Sequence, residues 1–272
     1  MDDVATRALI INADDFGLSL GINRGIVRAF EHGVLTSTSL MVRWPAVADA
    51  ARYARANPSL GLGLHLDLGE WAYREGRWVQ LYQVVPLDEP RLVVKECGYQ
   101  LARFRELVGR DPDHIDSHQH VHREGPAAEA AALLAGGLGV PLRHARPGVR
   151  YCGGFYAQTE RGHPYPDGVS VETLTAIIAG LQSGATELAC HPGEDDGLDT
   201  MYRSERELEI RTLCDPRIRE ALRDAGATLL TFRDVTLSGG LKPGTATPPW
   251  PEPETTALTQ TRAAPNPGSK TP

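Results

Sequence analysis

Apolar positions along the chain recur with two alternating periods. Residues 8–13 open on an unbroken run, Ala8-Leu9-Ile10-Ile11, of the kind a strand buried on both faces requires. Residues 21–31 then place Ile22, Ile26, Val27 and Phe30 on one helical face. The alternation continues. Strands are expected at 34–42, 60–68, 113–118, 140–145, 187–190 and 227–232, and helices at 46–56, 91–108, 124–138, 171–182, 204–213 and 216–225. Asn57-Pro58 stops the second helix, and the glycines of 60–68 imply close backbone approach. Two stretches, 71–90 and 147–167, show no period and are expected as loops over a site. About seven βα units point to an α/β fold, a distorted barrel of about seven parallel strands.

Length and composition refine this picture. A chain of 272 residues suits one α/β barrel, with a core that needs no disulfides. From Gly239 the pattern stops: the last 34 residues hold 8 of the 20 prolines and few large apolar residues, Trp250 excepted. The expected organisation is a catalytic domain over 1–238 and a disordered Pro/Thr-rich tail over 239–272. A net charge of −7 without a basic stripe argues against nucleic acid and anionic membranes as partners. Cys97, Cys152, Cys190 and Cys214 form no CxxC pair and read as free thiols. With no signal-like or membrane-spanning run, a cytoplasmic location is expected.

In a parallel barrel, reactive residues gather where strands end at their C-terminal side. The first strand ends at Asp14-Asp15, the third carries His65 and Asp67, and the fourth runs into His114-Ile115-Asp116-Ser117-His118-Gln119-His120-Val121-His122. The sixth ends at His191-Pro192-Gly193. Six of the nine histidines fall in these stretches. Imidazoles and carboxylates gathered at one rim are a donor set for a divalent metal. Asp14 and Asp15, adjacent along the chain, can share the site only where the strand has ended. His114, Asp116, His118, His120 and His122 share one parity, but His114 and His122 would lie about 26 Å apart in an extended strand at about 3.3 Å per residue. At most two neighbours can share one ion, His118 first and His120 second. Asp116 and His122 then read as supports of the ligands or contacts to the substrate. Asp67 is a candidate orienting partner for His65, and His191, fixed by the turn after it, suits a general acid.

Five stretches together resemble the YdjC-type carbohydrate deacetylases, relatives in chemistry of the polysaccharide deacetylases: NADDFGLSLGINRGI, GVLTSTSLMV, GLGLHLDLG, HIDSHQHVH and ACHPG. Residues 202–235 are similar to the family's C-terminal part, so the resemblance spans about 8–235. It implies a polysaccharide-deacetylase-like barrel and a divalent-metal-dependent hydrolase that removes acetyl from N-acetylated amino sugars or short oligosaccharides. It further implies Asp15, His65 and His118 as ligands of Zn²⁺ or Mg²⁺, Asp14 as general base and His191 as general acid. The partner is a small carbohydrate, and a homodimer is compatible with the family. The match departs at Arg43-Trp44, where many relatives carry a small polar residue, and at LRHARPG (142–148), where Arg143 or Arg146 is a candidate substrate contact.

Three rival readings fit less well. A phosphoesterase or amidohydrolase built on His118-Gln119-His120 wants a His pair on the first strand, which carries Asp-Asp instead. Fe(II) oxygenases share a two-His-one-carboxylate set but typically sit on β-sandwiches. A non-catalytic metal- or partner-binding protein needs neither Asp14 beside Asp15 nor His191.

Overall fold

The structure, a computed structural model, describes residues 6–145 and 148–242. Strand β1 (Arg7–Phe16) lies at its centre. Helix α1 (Leu20–His32) begins at Ser19, whose side chain accepts from the Ile22 amide, so the helix is capped by serine and Asp14 and Asp15 are left for other work. β2 (Ser37–Leu40), α2 (Val47–Ala56) and β3 (Gly61–Leu66) follow. Next come β4 (Gly69–Arg74), β5 (Arg77–Gln83) and the long α3 (Pro90–Val108). β6 (Ile115–Ser117) runs into a 3-10 helix (His118–Arg123) and then α4 (Gly125–Leu138). β7 (Arg150–Cys152), α5 (Val171–Ala179), β8 (Gly184–Cys190), α6 (Glu205–Leu213), α7 (Pro216–Asp224) and β9 (Ala227–Leu229) complete the order.

Seven strands form one parallel sheet in the order β6-β3-β2-β1-β8-β7, with β9 paired to the start of β1. The sheet curls, and among the described residues no ladder joins β6 to β7, so the expected barrel is distorted and open there. Along β1 the two parities separate. Leu9, Ile11 and Ala13 pack in the large core shared with the helices, whereas Ala8 and Ile10 join Ala185, Leu230 and Phe232 inside the curl. The inner parity turns polar higher up, at Asn12 and Asp14. The inside of the curl is therefore an apolar plug with a buried polar layer above it. His114 belongs to the plug: its ring stacks on Phe232 with centroids 3.8 Å apart, and a Cβ on Gly63 would fall 2.4 Å from its Nε2.

Four expectations change. The stretch 71–90 is mostly an antiparallel hairpin, β4–β5, turning at Glu75-Gly76 with positive φ at both residues. Residues 140–145 form no strand: Leu142 makes one isolated bridge to Ile115, and the seventh strand of the sheet is β7, inside the expected loop 147–167. The parity expected for His118, His120 and His122 fails because β6 stops at Ser117 and Gln119 and His120 adopt φ of 50° and 55°. Residues 239–242 pack on the body, with Leu241 bridging to Val235, while Arg146 and the tail from 243, with Trp250, lie outside the described residues.

Candidate active site

β1 does not end before the two acids. Its register shifts between Ala13 and Phe16, and Asp15 takes φ +71°, which turns both carboxylates to the same rim. Asp14, inside the polar layer, accepts from Asn12 Nδ2 at 3.0 Å and from both Arg143 terminal nitrogens at 2.6 and 2.7 Å. Asp15 accepts from Arg206 at 2.6 Å, and its other oxygen lies 3.1 Å from His118 Nδ1 and 3.5 Å from His65 Nε2. Burial raises both carboxyl pKa values, but the guanidiniums outweigh it and hold both below the ordinary range, so both acids are ionised at neutral pH.

His65 is oriented by Asp116, with Nδ1 2.8 Å from Oδ1, and by Ser39 at 3.1 Å. Asp67, the expected partner, instead accepts from Tyr82 at 2.8 Å and from the Trp44 indole at 3.0 Å, tying the hairpin to the body. Burial would lower the pKa of His65, yet Asp116 and Asp14 push it up to about 10; Asp15 and Glu70 likewise lift His118 to about 9 against its burial. Both imidazoles therefore sit against buried carboxylates. His65 Nε2 is buried and has no hydrogen-bond partner. Asp15, His65 and His118 offer ligand atoms all within 4.8 Å of one another, a one-carboxylate, two-imidazole set that fits a divalent metal. Asp14, His65 and Asp116 also meet that distance, but Arg143 occupies the two carboxylates, so a second cation there would meet a guanidinium.

Arg143 is buried, pairs with Asp116 Oδ2 at 2.8 Å and donates to Glu187 at 2.6 and 2.8 Å, so its guanidinium braces Asp14 among three carboxylates. His122 is likewise buried, bonded to Ser117 Oγ at 2.6 Å and to the Arg143 carbonyl at 3.1 Å. His120 turns away from His118 toward Tyr151, whose hydroxyl lies 3.1 Å from its Nε2. His191 does reach the rim, with Nε2 3.8 Å from Asp14 Oδ2. Gly25 and Gly193 let α1 approach the turn after it: a Cβ on Gly25 would lie 2.4 Å from the Gly193 Cα. Burial holds the His191 pKa at about 4 against Asp14 and Asp15, so its ring rests neutral.

Four supporting residues escaped the sequence reading. Glu187, a single acid inside the apolar stretch of β8, was visible as an anomaly. Arg206 and Glu209 sit one turn apart on α6; the first binds Asp15, and the second, fully buried, accepts from the His191 amide and the Tyr202 hydroxyl. Burial pushes the Glu209 pKa up to about 8. Glu70, on β4, stands 3.8 Å from His118 Nε2. No helix among the described residues is long and apolar enough to cross a membrane.

A family model described as YdjC-like protein matches residues 8–224. The chitooligosaccharide deacetylase of Klebsiella pneumoniae strain 342 is 35% identical over 258 residues, covering 84% of this chain and 99% of that one. The carbohydrate deacetylase of Geobacillus stearothermophilus is 31% identical over 252 residues, covering 84% and 98%. A crystal structure of an Enterococcus faecalis V583 protein, 24% identical, shares the fold with a TM-score of 0.66 over 84% of this chain and 98% of that one.

Proposed function

The chain belongs to the YdjC-like family, and we propose that it is a metal-dependent carbohydrate deacetylase, hydrolysing the N-acetyl amide of amino sugars or short oligosaccharides. The observation that carries this reading is the pairing, on one rim, of the Asp15–His65–His118 set with Asp14 and His191, 3.8 Å apart. When bound by those three residues, a divalent ion lowers the pKa of a water and polarises a carbonyl. Asp116 fixes which nitrogen His65 offers, and Arg206 holds Asp15 from behind. Asp14, kept ionised by Arg143, takes a proton from the water that attacks the acetyl carbon. His191, neutral at rest, can receive that proton from its neighbour and deliver it to the leaving amine as the C–N bond breaks. The products are acetate and the free amino sugar. Both Zn²⁺ and Mg²⁺ are compatible with a two-imidazole, one-carboxylate set. The rival built on His118 and His120 loses its geometry, since the two rings diverge.

The test is acetate release from N-acetylglucosamine and diacetylchitobiose by protein stripped with chelator and reloaded with Zn²⁺, Mg²⁺, Mn²⁺ or Co²⁺. Release should require metal and fall by about 10²-fold or more in Asp14→Asn, while metal binding by calorimetry persists. Metal-independent release, or none with any ion that binds, would sink the proposal.

A further inference from the structure

We propose that Glu70 is a positioning residue of the metal centre: its carboxylate is the outer partner of His118, accepting from Nε2–H so that Nδ1 is the nitrogen offered to the ion. This inference rests on the metal-dependent reading above and extends that centre to the β4–β5 hairpin.

Two of the three candidate ligands are braced from behind. His65 has Asp116 against Nδ1 at 2.8 Å, which leaves Nε2 facing the site, and Asp15 has Arg206 on its other oxygen at 2.6 Å. His118 is turned the opposite way: Nδ1 lies 3.1 Å from Asp15 Oδ1, while Nε2 is buried without a hydrogen-bond partner. A ligand imidazole is neutral and keeps one proton, so coordination through Nδ1 leaves that proton on Nε2, where it needs an acceptor. The carboxylate facing Nε2 is that of Glu70, with Oε2 at 3.8 Å, about 0.8 Å beyond an ordinary N–H···O bond.

The backbone holds Glu70 at this place. On β4 it shares parity with Ala72, and both are buried where Trp71 and Tyr73 are half-buried. The β4–β5 register shifts between Glu70 and Trp71, an irregularity of the kind that re-aims a side chain. Gln119, the residue after His118, accepts from the amide of Trp71, the residue after Glu70, at 2.9 Å and donates to its carbonyl at 2.8 Å. The turn that carries His118 and the strand that carries Glu70 are thus joined one residue beyond the pair itself. The carboxylate also lacks a strong donor. It accepts from Thr200 Oγ1 at 3.4 Å, and among the described residues no lysine or arginine pairs with it. A buried carboxylate is costly in that state, and an imidazole N–H offsets the cost. Metal occupancy and the placement of β4 are then linked, each favouring the other.

The experiment titrates chelator-stripped, full-length protein with Zn²⁺ and with Mn²⁺ by calorimetry, comparing wild type with Glu70→Leu, Glu70→Gln and Thr200→Val. Glu70→Leu should weaken binding of both ions by about 10- to 100-fold, the usual effect of losing a ligand's outer partner. Glu70→Gln, which keeps an acceptor oxygen but not its charge, should lose less. Thr200→Val, which removes the other contact of Glu70, should bind as wild type does. Hydrogen exchange gives a second readout: Zn²⁺ should slow exchange over residues 69–83 in wild type and far less in Glu70→Leu. Wild-type affinity in Glu70→Leu, or an equal loss in Glu70→Leu and Thr200→Val, would overturn the inference while leaving the deacetylase reading intact. If metal-free Glu70→Leu has lost the protection of the parallel sheet, Glu70→Gln decides: weakened binding sustains the inference and unchanged binding overturns it. A wild type that binds neither ion would overturn the metal centre and this inference together.

Discussion

Replacing Arg143 with methionine keeps much of the side chain's length and removes its charge. In the structure that charge answers three buried carboxylates, Asp14, Asp116 and Glu187, at 2.6–2.8 Å. Removing one member of a buried ionic group typically costs about 3–5 kcal/mol. For a chain of this size each kcal/mol moves Tm by about 2–4 °C, so a drop of roughly 6–20 °C is expected. The three acids left behind stay buried, which raises their folded-state pKa values above the unfolded value near 4. A raised folded-state pKa contributes stability that is present below the unfolded pKa and lost as pH rises through the folded one. The deficit against wild type should therefore be smaller at pH 5 than at pH 8. Thermal unfolding followed by circular dichroism at the two pH values reads this directly. An equal deficit at both would mean that only packing was lost, and no deficit would refute the claim that Arg143 holds the polar layer together. Arg143→Lys, which keeps the charge but not the two-pronged geometry, should fall between.

Two further outcomes follow from buried polar groups. Burial depresses the pKa of His122 to about 4, with Asp116 opposing. Its stability contribution is present above about 6.5 and lost as pH falls toward 4, an effect of roughly 3 kcal/mol in urea unfolding. In His122→Asn the pH slope over that window should flatten, and an unchanged slope would count against a neutral buried ring. Asp67→Asn weakens the anionic acceptor shared by Tyr82 and Trp44, at about 1.5–3 kcal/mol. Hydrogen exchange should then quicken in residues 69–83 while the parallel sheet keeps its protection; if the hairpin's protection holds, Asp67 is not its anchor.

The candidate site was legible in the sequence because a parallel sheet sends its chemistry to strand ends, and strands announce themselves by apolar runs. Asp14, Asp15, His65, His118 and His191 all stood at such ends and converge. The hairpin was not legible by period. Its strands lie off the sheet and half exposed, so few apolar positions mark them; Glu75-Gly76 between two aromatic-bearing runs was the local signal. Arg206 and Glu209 were hidden for another reason. On α6 they look like solvent-facing charges, and only the tertiary fold turns them inward to Asp15 and His191. The departure at Trp44 likewise acquires meaning in three dimensions, where its indole meets Asp67 and its ring packs edge-on against Tyr82 at 5.5 Å.

The left-handed turn at Asp15 has a mechanical consequence. An ordinary strand would send neighbouring acids to opposite faces, and a base and a ligand drawn from two separate loops would drift apart whenever either loop moved. Here both acids ride on the central strand, one peptide bond apart, directly after Ala13, which pairs with strands on both sides. The spacing between the Asp14 and Asp15 Cα atoms, about 3.8 Å across one trans peptide bond, is a property of covalent geometry, insensitive to breathing of the rim above. Substrate loops can open and close, or be exchanged for others, without resetting that spacing.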